Sequence, residues 1–493
     1  MDYELGDLID LFLGRMSFCL SDRKYKEKRM RSLREIMESK SIVVIGASRD
    51  AQKPGAKLLK VLQEVRFRGR IAGVNPQGGE VFAIPLYRSV EDVPFEVDLG
   101  VLHIPPPAVP EVLKACARKG VKGVVISAEG FAESGPAGAR LQEEVKNILQ
   151  VTGMRAIGPN TLGLVNTANG LTTSYYATEA MLKPGAIGVI AQSGIFVGFL
   201  LRYLSSLEGL QLSKGIALGN KIDVDEAEAL EYLMEDEQTR IIGMYLEDVR
   251  DGRRFLEVAQ RASARKPVLL LKGGRTKEGA RACASHTASL AVADDVFDGA
   301  LRQAGILRMR GIDDFIATLK GFLYMPLPRG RRVALVTYSM GQGILGVDAA
   351  IEAGLELARF GPGTQEKLAR VIATPLKAHN PIDFFPDMLT HGLAKTATEI
   401  LRALFEEDGV DAVVFISLAE SGTEAYHPVV GLLQENCPKP VFFTFMGTRR
   451  DIEIYQSFLE MNRVPCFDFP ESAIRALTRM CQHAQRKSQL KFF

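Results

Sequence analysis

The stretch Ser41-Ile42-Val43-Val44-Ile45-Gly46-Ala47-Ser48-Arg49-Asp50 passes from an unbroken aliphatic run directly into glycine and small residues. Successive residues of a strand face opposite sides of its sheet, so a run without polar alternation predicts a strand buried on both faces, as in a parallel sheet covered by helices. The turn that follows, with a helix predicted to begin near Gly55, can aim backbone N–H groups and a helix N-terminus at a phosphate.

The same pattern recurs outward from it. Ile71-Ala72-Gly73-Val74-Asn75, Leu99-Gly100-Val101-Leu102-His103-Ile104 and Gly123-Val124-Val125-Ile126-Ser127 are further short aliphatic runs separated by helical segments. They predict a Rossmann-like, doubly wound domain over residues 36–165, preceded by an N-terminal extension over 1–35. A second series, Ala186–Ile190, Gly215–Leu218, Ile241–Leu246 and Pro267–Lys272, predicts another domain over 166–325. Met325-Pro326-Leu327-Pro328-Arg329-Gly330 then breaks the chain, because its two prolines cannot sustain a helix. Arg332–Thr337, Ala412–Ile416 and Pro440–Thr444 open a third domain over 331–485. The expected fold class is α/β, with three tandem doubly wound domains. Such sheets bind at the carboxyl ends of their strands, so three in series imply a large ligand or several partial sites.

Composition excludes some partners. Lys and Arg total 61 against 59 Asp and Glu, so no overall field draws in nucleic acid or an anionic membrane. The basic run Arg23, Lys24, Lys26, Lys28, Arg29, Arg31 and Arg34, interrupted by Asp22 and Glu27, reads as a solvated helix face. The six cysteines, at 19, 116, 283, 437, 466 and 481, form no CxxC pair, which fits a reducing cytoplasm. No apolar run reaches the ~18 residues of a membrane span. The N-terminus carries Asp2, Glu4, Asp7 and Asp10 where a signal peptide would be basic. A cytoplasmic protein is expected.

For the first glycine turn, a nicotinamide dinucleotide is the obvious competing ligand. Two details oppose it: the spacing is not G-x-G-x-x-G, and the second strand ends in Asn75-Pro76 where a carboxylate would receive the ribose hydroxyl.

Cys283-Ala284-Ser285-His286-Thr287-Ala288-Ser289-Leu290 lies between a predicted strand and a helix predicted to start near Asp294, and reads as a loop. A neutral imidazole with small neighbours is a good nitrogen nucleophile near neutral pH, suited to carrying a phosphoryl group. A lone histidine is more often a packing or surface residue. The six histidines, at 103, 286, 379, 391, 427 and 483, make no Cys/His pair at zinc-ligand spacing, so no metal site is expected.

Taken together, Val44-Ile45-Gly46-Ala47-Ser48, Val74-Asn75-Pro76, Ile104-Pro105-Pro106-Pro107-Ala108-Val109, Ser127-Ala128-Glu129-Gly130-Phe131-Ala132-Glu133 and Ile157-Gly158-Pro159-Asn160-Thr161-Leu162-Gly163 resemble the CoA-binding domain of the NDP-forming acyl-CoA synthetases. That superfamily includes succinyl-CoA synthetase. Over residues 36–485 the resemblance is to the α subunits of ADP-forming acetate/acyl-CoA ligases, with flavodoxin-like second and third domains. It implies that Gly46, Ala47 and Ser48 line the CoA phosphates with Lys53 nearby, and that Asn75 and Pro76 border the adenosine. Ile104, Pro105 and Val109 would pack on the ligand, Ser127, Ala128 and Glu129 flank the pantetheine path, and Asn160 lie near the thiol.

By the same resemblance His286 is the residue phosphorylated, within a segment where two family glycines are replaced by Ala288 and Val292. Val189-Ile190-Ala191-Gln192-Ser193-Gly194 resembles the phosphate-binding segment, with Ser193 and the N–H groups near Gly194 at a helix N-terminus. Glu247, at the end of the strand from Ile241, matches the carboxylate that orients the histidine ring. Tyr338-Ser339-Met340-Gly341-Gln342-Gly343 and Asn380-Pro381-Ile382-Asp383 resemble the third, ligase-associated domain, whose family role is assembly and phosphoryl relay.

The implied reaction is acyl-CoA + ADP + phosphate ⇌ acid + CoA + ATP, through an acyl phosphate and a phosphohistidine. ADP or ATP and magnesium would be held by an ATP-grasp unit. Nothing after Arg331 resembles one, so a separate ATP-grasp β subunit, in a heterotetramer, is expected. The competing reading is a CoA- or acyl-CoA-binding regulatory protein without turnover, motivated by Ala288, Val292 and the leader over 1–35. An NAD-dependent oxidoreductase is a third class, disfavoured by Asn75 and the glycine spacing.

Overall fold

The computed structural model describes residues 33–207, 209–287, 293–374, 378–385, 387–420 and 422–490. Most of the leader, and with it the basic run up to Arg31, lies outside the described residues. So do Ala288 and Val292.

The aliphatic run becomes strand β1 (Ser41–Ile45), in which Val43 and Val44 are completely enclosed. Burying each such side chain is worth roughly 1.5–3 kcal/mol. β1 sits centrally between β2 (Arg70–Val74) and β5 (Leu99–Leu102), parallel to both, with Ile45 opposite Val74 on one side and Leu102 on the other. β3 (Gly79–Val81) and β4 (Ile84–Tyr87) extend one side as an antiparallel pair; β6 (Gly123–Ile126) and β7 (Arg155–Ile157) extend the other. The sheet order is β3-β4-β2-β1-β5-β6-β7. The order reverses direction between β1 and β5, and a crevice opens where loops leave a sheet in opposite directions.

The helix after the glycine turn, Pro54–Glu64, forms because proline occupies its first turn and Gly55, Leu58, Leu59 and Leu62 recur at helical spacing on its buried side. Leu33, Ile36 and Met37 of the preceding segment are also fully enclosed.

The second sheet begins within a few residues of the first sheet's end. Its strands are β8 (Leu164–Asn166), β9 (Leu171–Thr172), β10 (Ile187–Ala191), β11 (Leu212–Ala217), β12 (Ile241–Leu246), β13 (Val268–Lys272) and β14 (Leu307–Met309), in the order β14-β13-β12-β10-β11-β8-β9. Its parallel portion has the flavodoxin-like 2-1-3-4-5 order, which reverses between β10 and β12. The third sheet contains β15 (Arg332–Thr337), β16 (Glu356–Leu357), β17 (Ile382–Asp383), β18 (Ala412–Ala419), β19 (Val441–Gly447) and β20 (Cys466–Phe467), in the order β16-β15-β18-β19-β20 with β17 on β15. Among the described residues, no helix is long and apolar enough to cross a membrane.

The first two sheets are clamped together by a buried ion cluster. The Arg155 guanidinium, 6% exposed, meets Asp223 Oδ2 at 2.8 Å and Glu228 Oε1 at 2.8 Å. The Thr161 hydroxyl donates to the Ala217 carbonyl at 2.5 Å. The third unit joins the second where helix Pro470–Leu490 packs on Ile312–Tyr324, with Lys320 paired to Glu460 at 2.5 Å.

Candidate active site

The ends of β1, β5, β6, β10 and β11 converge on one cavity of about 500 Å³ between the first two sheets. Its floor on the first sheet begins with the glycine turn. Gly46 has φ +90°, and a Cβ there would fall 2.2 Å from the His103 carbonyl oxygen, so only glycine fits between β1 and β5. The Gly46 and Ala47 N–H groups both donate to the Val74 carbonyl, at 3.0 and 3.1 Å. Lys53, Pro54 and Gly55 bring a cation and a helix N-terminus to this end of the cavity.

Ala47, Ser48, Asn75 and Pro76 do not line the cavity: Ala47, expected at the phosphates, is fully enclosed in the core, and the other three lie beside the glycine turn. The Asn75 amide donates to the Ala47 carbonyl at 2.6 Å, Ser48 Oγ accepts the Asp50 N–H at 3.1 Å, and Pro76 is exposed. Ile104 and Pro105 do line the cavity. Val109, expected against the ligand, is instead fully enclosed: it opens helix Val109–Lys119 and faces the core with Leu113 and Cys116. The helical period turns it away from the proline loop.

Ser127, Ala128 and Glu129 form the wall that follows β6. Asn160, at φ 58°, donates its N–H to the Ala128 carbonyl at 2.9 Å and lines the same space. Sequence reasoning missed His103, Tyr175, Tyr176, Gln192 and Asn220, which also line it. Burial lowers the His103 pKa to about 4, so this imidazole is neutral. Tyr175 stands edge-on to it with ring centres 5.8 Å apart, and burial followed by the Tyr176 hydroxyl raises the Tyr175 pKa to about 12. Gln192 lies inside the segment that resembles a phosphate-binding motif, but no short motif advertises His103, Tyr175, Tyr176 or Asn220; the meeting of two sheets selects them.

On the second sheet, Ser193 lines the cavity and immediately precedes helix Gly194–Ser205. Gln192, 3% exposed, holds the neighbouring strand end. Its Oε1 accepts the N–H groups of Glu247 at 2.9 Å and Asp248 at 3.1 Å. The Glu247 carboxylate is 5% exposed, accepts the Tyr245 hydroxyl at 3.2 Å, and sits above Lys272, whose ammonium donates to the Glu247 carbonyl at 2.7 Å. Burial lowers the Lys272 pKa. Burial and the Glu247 charge raise that of Tyr245.

The segment around His286 is not the expected loop. Helix Lys277–Thr287 runs through it, with His286 as its penultimate residue. The small residues Ala280, Ala282, Ala284 and Ser285 carry no β-branch and tolerate the helix, so the spacing of hydroxyl and small residues misled the loop assignment. Cys283, one turn before His286, lies against Gly274, and burial together with the Glu247 carboxylate raises its thiol pKa. The helix also touches the turn Ala132–Ser134 at the cavity's edge. There Glu133 accepts the N–H groups of Gly130 and Phe131 at 2.7 and 3.0 Å and the Asn220 amide at 2.5 Å. Burial opposes its ionisation, but those donors hold its pKa below the ordinary carboxylate value.

The third unit stands apart from this cavity. Thr337 and Ser339 shape the turn into helix Met340–Glu352, and Asn380 bridges β15 by accepting from the Leu335 N–H at 2.9 Å and donating to the Val333 carbonyl at 2.8 Å.

A family described as the CoA binding domain matches residues 40–167, and one described as the succinyl-CoA ligase like flavodoxin domain matches 184–322. The chain is 38% identical over 472 residues to acetate–CoA ligase [ADP-forming] II of Archaeoglobus fulgidus, covering 95% of this chain and 70% of that protein. It is 35% identical to the α subunit of acetate–CoA ligase [ADP-forming] II of Pyrococcus furiosus, covering 90% of this chain and 96% of that subunit. Among solved structures, the dinucleotide-forming acetyl-coenzyme A synthetase 1 of Ca. Korarchaeum cryptofilum, in complex with phosphate and ADP, superposes with a TM-score of 0.85 at 29% identity. The match covers 93% of this chain and 98% of that one.

Proposed function

The chain belongs to the ADP-forming acetate/acyl-CoA ligase family, and from that premise we propose that it is the CoA-binding, phosphohistidine-carrying α subunit of such an enzyme. The carrying observation is the convergence, on one cavity, of a glycine turn with a helix N-terminus on the first sheet and the Ser193 helix N-terminus on the second.

In this reading the CoA phosphates lie against Gly46 and Lys53, with Ser48, Asn75 and Pro76 shaping the rim and Ala47 packed in the core beneath the turn. The arm passes Ile104, Pro105 and Ser127–Glu129 toward Asn160. Inorganic phosphate, held at Ser193 and the N–H groups near Gly194, attacks the thioester carbonyl. The C–S bond breaks, CoA leaves as the thiol, and an acyl phosphate forms. A ring nitrogen of His286 then attacks phosphorus; the P–O bond to the acyl group breaks and releases the carboxylate. Glu247 receives the ring's other N–H and stabilises the cationic imidazole. The approach of helix Lys277–Thr287 to both Glu247 and the turn Ala132–Ser134 supports this assignment.

Transfer onward to ADP, with magnesium, is assigned to a separate ATP-grasp β subunit in a heterotetramer. The α-subunit name of the Pyrococcus furiosus relative, which this chain spans almost completely, supports a separate partner. The names of those relatives support acetate or a related short acid as the substrate class, and a cytoplasmic setting is part of the same proposal.

The test is labelling. With the partner subunit, magnesium and radiolabelled ATP, the chain should acquire an acid-labile, base-stable label that His286→Ala abolishes, and Glu247→Gln should slow labelling by roughly 10²-fold or more. The chain alone should not form ATP from acetyl-CoA, ADP and phosphate. Label at another residue, full labelling of His286→Ala, or ATP formation without a partner overturns the assignment. Tight CoA binding with no label, given an active partner, favours the regulatory reading.

A further inference from the structure

Lys221 is an unusual residue to find under the site. It follows β11 in a left-handed conformation, φ 55°, and is only 3% exposed. Burying an ammonium and straining its backbone both cost free energy, so neither persists without compensation. The compensation comes from the two other strand ends of the candidate phosphoryl site. The Lys221 ammonium lies 2.5 Å from Asp248 Oδ1 and donates to the Asp248 carbonyl at 3.1 Å, both after β12. It also reaches Gln192 Oε1, after β10, at 3.4 Å and is in ion-pair contact with Glu226 Oε2 at 3.0 Å.

Gln192 Oε1 is therefore shared by three donors: the Glu247 and Asp248 N–H groups and this ammonium. That single oxygen ties the residue before Ser193 to the residue proposed to orient His286. Lys221 is held in turn from outside, because the Arg250 guanidinium donates to its carbonyl and the Arg250 N–H donates to Glu226 Oε1 at 2.8 Å. On its other side Lys221 follows Gly219 and Asn220 of the cavity wall. One buried cation thus sits at the node of β10, β11 and β12, behind the side chains proposed to do the chemistry.

We propose that Lys221 is a positioning residue for phosphoryl transfer, fixing Gln192 and the Glu247–Asp248 backbone so that Ser193 and Glu247 face one phosphorus position. This deepens the phosphohistidine reading and rests on it. Misplacement of reacting groups by about 1 Å can cost as much as 10²-fold in rate, so the effect belongs in the rate of histidine phosphorylation and not in CoA affinity.

The experiment uses the full chain with radiolabelled acetyl phosphate as donor, CoA binding by calorimetry, and thermal unfolding. Lys221→Met removes the charge while keeping an unbranched side chain. It should slow labelling roughly 10- to 100-fold and leave CoA affinity within about twofold. It should also lower Tm, because Asp248 and Glu226 lose their counter-charge. The double variant Lys221→Met/Glu226→Gln neutralises one of those carboxylates and should recover much of the Tm while labelling stays slow. Labelling that recovers with Tm, or an unchanged rate in the stable double variant, overturns the proposal and leaves Lys221 as a structural ion pair. If the unmodified chain binds CoA but takes no label, the phosphohistidine reading itself has failed, and the Lys221 variants do not bear on that outcome.

Discussion

The side-chain amide of Asn220 donates to the Glu133 carboxylate at 2.5 Å, bonding the end of a second-sheet strand to the turn that helix Lys277–Thr287 touches. Glu133→Ala would leave the Gly130 and Phe131 N–H groups without this acceptor and would cost the Asn220 amide one of its two, the other being Gln142 Oε1 at 3.0 Å. Each unsatisfied donor costs about 1–3 kcal/mol when water cannot replace the partner. Because Glu133 is partly exposed, water recovers some of that, and a net loss of about 2 kcal/mol is expected in urea unfolding. CoA affinity should fall with it, since the cavity wall spans both sheets. Unchanged stability would show that the bond is dispensable.

Gly46→Val should weaken CoA binding by about tenfold or more. The substituted Cβ would collide with the His103 carbonyl and force β1 and β5 apart at the cavity floor. Calorimetry on folded protein checks it; equal CoA affinity, or binding of NAD in preference to CoA by the unmodified chain, contradicts the assignment of the glycine turn.

Stability should decline as pH falls from about 6.5 to about 4. His103 and His483 both have folded pKa values lowered to about 4, His103 by burial and His483 by burial together with the nearby Lys487 and Arg486 charges. The unfolded chain, with histidine near ~6.5, binds these protons first. Stability is therefore fully present above the unfolded value and lost downward through the window. Each site contributes a slope of at most about 1.4 kcal/mol per pH unit. Urea midpoints between pH 6.5 and 5, above the range of most carboxylates, should show that slope, and His483→Gln should reduce it by about one proton. A flat profile in the unmodified protein would mean the two imidazoles accept protons inside the fold.

Much of the architecture is legible in the sequence. Runs such as Ser41–Ile45 and Ile241–Leu246 lack alternation because both faces of their strands are covered, and that requirement is written residue by residue. The glycine turn was legible as well, but not its full reason: the sequence reading reserves Gly46 for a phosphate, whereas the structure shows the His103 carbonyl excluding a side chain there. Val109 was not: Pro106–Ala108 before it form a short 3-10 turn after the proline loop, and only the helical period that starts at Val109 turns it into the core. The segment at His286 was misread for the opposite reason, because small residues suit a loop and a helix alike.

The sequence by itself determined the central parallel strands, the glycine turn and the family to which the chain belongs, because these depend on local periodicity and on motifs contiguous in the chain; short edge strands such as β3, β9 and β16 carry no such pattern. Only the tertiary structure decided that His103, Tyr175 and Asn220 share a cavity, or that Lys221 lies beneath Gln192 and Asp248. Those groupings join residues from separate strand ends. They exist because strand ends of two sheets joined through Arg155 converge on one cavity, and because each sheet's order reverses where its loops part. No spacing along the chain encodes that meeting.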